Sequence, residues 1–310
     1  MRAILCCIVC LMGANAYADC QSALLQSQYN IAIKHAEQSI TESKAGYQTY
    51  LCLGQVYQNT GRFQDAIHYL KKAIPLANSE QDKNNLYFDL SVAFKYTGDL
   101  KQSLAYINKK LAFDRRTQNS AEMGVSLATK AAILGDIGRH NQAIELSIES
   151  IQYLERDTDR ASTYNNIATG YSSLGDFRNA FKYINLAIAI DRRQAAAGQK
   201  DLAIHLMNKA YLYRQQGEYQ RALATINESL NIIETQNHQY WLMSGLIHRA
   251  KTHELSQNYD HALLDFQNAA GLAKTTKAQE LHYLLSKVDQ MEDLTDQSSD
   301  NKKLLTQLSQ

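Results

Sequence analysis

The stretch Leu53-Gly54-Gln55-Val56-Tyr57-Gln58-Asn59-Thr60-Gly61-Arg62-Phe63-Gln64-Asp65-Ala66 returns as a pattern at Ile167-Ala168-Thr169-Gly170-Tyr171-Ser172-Ser173-Leu174-Gly175-Asp176-Phe177-Arg178-Asn179-Ala180. In both, a large-small pair leads to an aromatic, a glycine, a second aromatic and an alanine. More worn copies run through Leu90-Ser91, Phe94, Gly98, Leu100 and Ser103, through Lys130-Ala131, Leu134, Gly138, His140 and Ala143, and through Lys209-Ala210, Tyr213, Gly217, Tyr219 and Ala222. A sixth copy lacks the glycine and runs through Ala250, His253, Tyr259, Ala262 and Phe266.

Within each copy the apolar residues recur three and four apart, so each half is an amphipathic helix with one buried stripe. The glycine falls between the halves, where a chain leaving one helix needs a left-handed residue to turn. Small residues such as Gly54, Ala168 and Ala210 let two helices approach, and Phe63, Phe177 and Tyr219 fill the space beside them. A single pair cannot bury its apolar face, whereas stacked pairs can.

The phrase resembles the tetratricopeptide repeat, an antiparallel helix pair with this spacing of small and large residues. The resemblance covers roughly residues 27 to 275 and implies an all-α fold, a right-handed α-solenoid of antiparallel helix pairs. From Gly61 through Gly98, Gly138, Gly175 and Gly217 to Gln257 the steps are 37, 40, 37, 42 and 40 residues. The family minimum is about 34, so these repeats resemble the long-repeat branch that includes kinesin light chains and bacterial peptide-pheromone receptors. The expected organisation is a signal peptide at 1–18, a partial repeat at 19–45, six repeats at 46–275, and a capping helix with a tail at 276–310.

Arg2, an apolar run from Ala3 to Gly13, and Ala14-Asn15-Ala16-Tyr17-Ala18 are the parts of a secretory signal. Cleavage is expected near Ala18, leaving a periplasmic or secreted chain, since the run is shorter than the ~20 residues that span a bilayer. Export would remove Cys6, Cys7 and Cys10 and keep Cys20 and Cys52. Cys20 falls on the stub of a truncated repeat and Cys52 on the first helix of the next. A disulfide between them would close a loop of about 30 residues and hold an end that otherwise frays. Two alternatives stand beside it: unpaired thiols, and a lipid anchor on Cys20, for which Asp19 is a poor preceding residue.

Formal charge is +1, from 32 basic and 31 acidic residues, and losing Arg2 with the signal leaves 31 of each. A neutral chain has no electrostatic case for nucleic acid, whose affinity rests largely on phosphate neutralisation. A single proline, Pro75, argues against sandwiches and Pro-rich linkers, so the chain reads as one array. Leu281, Leu284, Leu285, Val288, Met291 and Leu294 recur at helical spacing, as a cap would. Residues 295–303 read as polar and loose, with a last short helix at Leu304–Leu308.

In arrays of this kind the first helices line a concave working surface. Counted from each glycine break, one inward position holds Cys52, Asp89, Thr129, Asn166, Asn208 and His248. The position before it includes Asn165, and three residues further along come Thr169, Tyr211 and Lys251. In family members that bind extended peptides, asparagines at this position grip the ligand backbone, because an amide donates and accepts at once. The resemblance therefore implies a partner-binding groove of Asp89, Thr129, Asn165, Asn166, Thr169, Asn208, Tyr211, His248 and Lys251. The alternative is that Asn166 and Asn208 bond only to a neighbouring helix or water. The family's basic clamp for a terminal carboxylate would need lysines and arginines at these positions, and only Arg214 and Lys251 come close.

Asp114-Arg115-Arg116 and Asp191-Arg192-Arg193 recur 77 residues apart near the ends of second helices, with Glu155-Arg156-Asp157 near the same place between them. They read as helix endings or an inter-repeat ion ladder, or else as an edge for an acidic partner. Asp157 and Asp159 fall in an expected loop. Trp241, with Tyr240, reads as packing between repeats five and six or as a recognition hot spot. Nine scattered histidines form no dense ligand spacing, and there is no G-x-S-x-G, P-loop or G-x-G-x-x-G. No catalytic residue, metal or cofactor is expected. The chain reads as an exported, non-enzymatic scaffold that binds a protein or peptide, with a peptide-sensing receptor as the alternative.

Overall fold

The computed structural model describes residues 20–194, 199–236, 238–276, 278 and 280–308, with side chains to 296. The expected signal peptide and its cleavage point near Ala18 lie outside the described residues. No strand occurs among the described residues, and packing divides the chain into two compact units between Leu154 and Glu155.

The first unit begins with a short helix, α1 (20–25), followed by α2 (Tyr29–Thr41), α3 (Tyr47–Asn59), α4 (Phe63–Ala73), α5 (Glu80–Tyr96), α6 (Leu100–Thr117), α7 (Ser120–Asp136) and α8 (His140–Ile151). Helices α3–α4, α5–α6 and α7–α8 form antiparallel pairs, and within the unit α4 packs on α5 and α6 on α7. The second unit repeats this with α9 (Asp157–Ser173), α10 (Phe177–Asp191), α11 (Gln199–Gln215), α12 (Tyr219–Thr235), α13 (Gln239–Leu255) and α14 (Tyr259–Thr276), closed by α15 (Leu281–Leu308).

The turn inside each pair has one physical cause. Gly61, Gly98, Gly138, Gly175 and Gly217 all take φ between 75° and 89°, and Gln257, where the sixth copy lacks glycine, takes φ 60°. The left-handed turn is thus kept where the residue that favours it is gone. Several helices start on a short polar cap: Ser79, Asp99, Asn119 and Asp176 each accept from the backbone N–H three residues on, satisfying donors the helix itself leaves open. Gly54 marks the closest approach of α3 and α4, for a Cβ there would meet Leu70 Cδ2 at 2.5 Å.

Aromatic residues at equivalent repeat positions form the same triad three times. Tyr57 stacks on Tyr69, Phe94 on Tyr106 and Tyr171 on Tyr183, with centroids 5.5, 5.6 and 5.7 Å apart. Tyr50, Tyr87 and Tyr164, seven residues before each first-helix ring, complete the sets. Lys72 and Lys109 lie over the first two sets, at 5.0 to 5.8 Å from the ring centroids, where their charge meets the negative ring faces.

Cys20 and Cys52 form a disulfide with Cα atoms 6.5 Å apart, tying α1 to α3, and both are fully buried. In this pairing the Cys20 sulfur is not available to carry a lipid. Asp114 and Asp191, the acids of the two recurrent Asp-Arg-Arg runs, are buried anchors. Asp114 accepts from Asn84, Lys110 and Ser126, and Asp191 contacts His205 Nδ1 at 2.6 Å. Arg192 reaches Glu228 of the next second helix at 2.8 Å, an inter-repeat ion pair.

Three expectations change. Asp157 and Asp159 sit in the first turn of α9, not in a loop, where their charge favours the helix dipole; Arg156, its N-cap residue, pairs with Asp159 at 2.8 Å. Residues 295–303 are not a loose stretch before a separate helix: α15 runs unbroken to Leu308, and no Gly or Pro interrupts it. Leu284 and Met291 are buried against α14 and its neighbours, yet Leu285 is half exposed, since Leu281, Val288 and Leu294 complete the buried stripe beside them. Trp241 packs, partly buried, against Ala203, Met207 and Ile233.

Candidate functional site

In the second unit, α11 adjoins both α9 and α13, and each of the three packs on its own second helix. Ala168 and Ala210, fully buried or nearly so, permit the close packing, and the residues a turn away from them are left on the surface. Across this layer Asn208 Nδ2 donates to Asn165 Oδ1 at 2.7 Å, both side chains being half-buried.

Beside that pair lies a cavity of about 230 Å³. Ala168, Ile184 and Leu212 supply apolar walls, and Thr169, Ser172, Ser173, Asn208, Tyr211 and His248 supply polar ones. An apolar cavity of about 150 Å³ takes up benzene, so one aromatic or branched side chain fits here. Burial pushes the His248 imidazole down to about 3, with Arg214 and Lys251 acting in the same direction, so this ring is neutral at physiological pH. Its Nδ1 is buried without a hydrogen-bond partner among the described residues. The His248 backbone oxygen accepts from Arg214 Nη1 at 3.0 Å and from Thr252 Oγ1 at 2.8 Å.

Of the nine groove residues read from the sequence, Thr169, Asn208, Tyr211 and His248 line this cavity, and Asn165 bonds to it through Asn208. Asn166 is half-buried on α9 and makes no side-chain hydrogen bond among the described residues. Lys251 lies over the Tyr283 ring, 5.2 Å from its centroid. Asp89 and Thr129 belong to the first unit. Burial pushes the Asp89 carboxyl up to about 7, its backbone oxygen accepts from Gln58 Nε2 at 2.7 Å, and Thr129 bonds to its own helix at Val125. Ser172, Ser173, Ile184 and Leu212 are additions of the structure, which also buries Arg214, named above as close to the inward positions. Arg214 had a signal, standing one further step of three along α11 after Asn208 and Tyr211.

No group of three or more histidine, cysteine, aspartate or glutamate side chains among the described residues is placed to hold a metal ion. No described helix is long and apolar enough to cross a membrane.

The family model described as tetratricopeptide repeat matches residues 47–79, 161–194 and 206–236. The chain carries tetratricopeptide repeats. These matches fall on α3–α4, α9–α10 and α11–α12, so the tetratricopeptide pairs α9–α10 and α11–α12 supply all but one of the cavity walls. A model described as anaphase-promoting complex subunit 5 matches residues 232–293. No curated protein sequence matches.

Among solved structures, NprR in complex with its cognate peptide NprX is similar over 97% of this chain and 88% of its own, with TM-score 0.70 and 15% identity. A Rap protein complexed with Competence and Sporulation Factor is similar over 93% and 88%, with TM-score 0.66 and 16% identity. A tetratricopeptide repeat protein from Parabacteroides merdae covers 90% and 98%, with TM-score 0.60 and 13% identity. At these identities the likeness is one of fold: an all-α solenoid of tetratricopeptide-type helix pairs.

Proposed function

We propose that this chain is a non-enzymatic scaffold that binds an extended peptide or a segment of a protein along α9, α11 and α13. The cavity beside the Asn165–Asn208 amide pair carries the reading. An extended chain presents alternating backbone amides and side chains, and this surface offers a paired amide for the first and one side-chain-sized cavity for the second. The roles that fit are adaptor, assembly factor or chaperone-like protein. Export to a periplasmic or extracellular space belongs to the proposal. Its supports are the Arg2-led apolar run ending in Ala-x-Ala and a buried disulfide of the kind that oxidising compartments favour.

A peptide-sensing receptor is the second reading, favoured by the fold likeness to NprR and Rap, both solved with peptide or factor bound. Affinity selection from a random peptide library on the mature chain tests the shared claim. Selected peptides should lose binding to Asn208→Ala and Tyr211→Ala proteins that keep wild-type helical circular dichroism. Failure to select any peptide, or binding indifferent to both substitutions, contradicts it. Compaction of the chain on binding a short peptide would favour the sensor over the adaptor.

A further inference from the structure

His248 stands in the wall of the cavity, and its ring makes no hydrogen bond among the described residues. Nδ1 is shut away without a partner, and only the backbone oxygen of this residue is engaged, by Arg214 and Thr252. Polar groups taken out of water are nearly always hydrogen-bonded in native proteins, and leaving one unpaired costs free energy. The residue as a whole is half-buried and not enclosed. A group seated in the cavity therefore meets the ring through Nε2, the nitrogen that is not closed off.

The remaining wall limits what that group can be. None of the described residues that line the cavity is an aspartate, glutamate, lysine or arginine, so a charged side chain placed there would lose water without meeting a counter-charge at the wall. Ala168, Ile184 and Leu212 call for an apolar body. The volume of about 230 Å³ exceeds the ~150 Å³ that takes up benzene, so a substituted ring fits, whereas a serine or threonine side chain would leave most of the space empty. A neutral imidazole donates at one nitrogen and accepts at the other, and no bond at Nδ1 fixes which. A hydroxyl both donates and accepts, so it pairs with Nε2 in either tautomer.

We propose that the cavity reads a tyrosine of the bound peptide, its ring against Ile184 and Leu212 and its hydroxyl hydrogen-bonded to His248. The proposal rests on the peptide-binding reading and makes His248 the residue that decides which side chain the cavity takes. Phenylalanine has nearly the same shape and would fill the same space, but it would leave the imidazole unpaired. A site built to hydrogen-bond a hydroxyl rejects the analogue that lacks it far more strongly than an apolar wall rejects a small change of size. His248 thus does for tyrosine against phenylalanine what Ile184 and Leu212 alone could not.

Peptides are selected from a random library on the wild-type chain, and the peptide position that crosslinks to a photo-reactive residue at Ser173, which lines the cavity, is the one seated there. That position should hold tyrosine. The selected peptide and its phenylalanine counterpart are then measured by fluorescence anisotropy against wild type and His248→Leu. On wild type the change to phenylalanine should weaken binding about ten- to a hundredfold, the cost of leaving one buried polar group unpaired. On His248→Leu the two peptides should bind alike, with the phenylalanine form at least as tight as on wild type. Should His248→Leu fail to fold, His248→Met takes its place, and the comparison on wild type needs neither variant. The proposal is overturned if phenylalanine binds wild type as well as tyrosine does, as it would if water alone served the imidazole, or if the preference for tyrosine survives the loss of His248. Peptides that bind and respond to Asn208→Ala but place another side chain in the cavity sink this proposal and leave the peptide-binding reading standing. If no peptide binds at all, that reading falls, and this proposal with it.

Discussion

Asn208 and Asn165, 43 residues apart in sequence, join α11 to α9 through a 2.7 Å side-chain hydrogen bond at the edge of the cavity. One amide thereby orients the other, while Asn208 keeps a carbonyl oxygen and one N–H, and Asn165 its whole amino group, for a ligand. Replacing Asn208 with alanine should weaken a bound peptide about tenfold and lower stability by about 1 kcal/mol, the net worth of one such bond. Asn166→Ala should stay within about 0.5 kcal/mol of wild type. Urea unfolding and peptide titration of the two variants check this.

The left-handed turn at Gln257 leads to a second expectation. Its φ of 60° matches a position that glycine holds in five other repeats, and a side chain there carries a backbone cost of roughly 1 kcal/mol. Gln257→Gly should raise stability by about 0.5–1 kcal/mol, and Gly175→Ala, in open space at φ 77°, should lower it by about 1 kcal/mol. Thermal melts that moved these two variants in the same direction would contradict the account.

Much of the fold was legible because it is written in recurring residue sizes: the large-small pair, the glycine and the aromatic mark each helix and turn. Gln257 shows where composition stops short, since the turn is imposed there by the packing of α13 on α14 and not by the residue. At the site, counting from the glycine put Asn166 and Asn208 in register, but adjacent helix residues point about 100° apart, and it is Asn165 that reaches Asn208. Burial is not written in residue type either. Arg214 and Asp114 look like surface charges in sequence and become buried because neighbouring repeats close over them. Asp157 and Asp159 looked like a loop because acidic residues cluster in loops and in first helical turns alike.

Lys110 and Asp114 are each 2% exposed in their side chains and 3.1 Å apart, with Glu122 2.6 Å from the same ammonium. Asp114→Ala should destabilise the first unit by about 3–5 kcal/mol, since it leaves a buried lysine short of its partner. Lys110→Met combined with Asp114→Leu should cost less than Asp114→Ala alone. A double-mutant cycle by urea unfolding reads the difference.

Two buried groups give opposite pH dependences. Burial raises the folded Asp89 carboxyl from 3.8 to about 7, so across that range the native state holds a proton that the unfolded chain has lost. Its contribution to the first unit is most favourable near pH 4 and is lost as pH rises towards 7. His248, lowered from 6.5 to about 3 by burial first and then by Arg214 and Lys251, behaves in reverse: its contribution to the second unit is full above 6.5 and is lost as pH falls. Asp89→Asn should therefore gain more stability near pH 8 than near pH 5, and His248→Asn more near pH 5 than near pH 8. Unfolding midpoints at the two pH values test both signs.

The disulfide closes a sequence separation of 32 residues, and chain entropy gives such a loop about 3–4 kcal/mol. Cys20→Ser, or reduction of the wild type, should lower the melting temperature, and hydrogen exchange should rise first in α1 and α2. Unchanged exchange there would show that packing alone holds that end.

A photo-crosslinking amino acid placed at Ser173, which is exposed and lines the cavity, tests the central claim most directly. Irradiation of cells making this variant, followed by mass spectrometry of the adduct, should give a polypeptide crosslink that disappears with Asn208→Ala. A crosslink to no polypeptide, or one that Asn208→Ala leaves intact and that a crosslinker at exposed Lys101 reproduces equally, would contradict it.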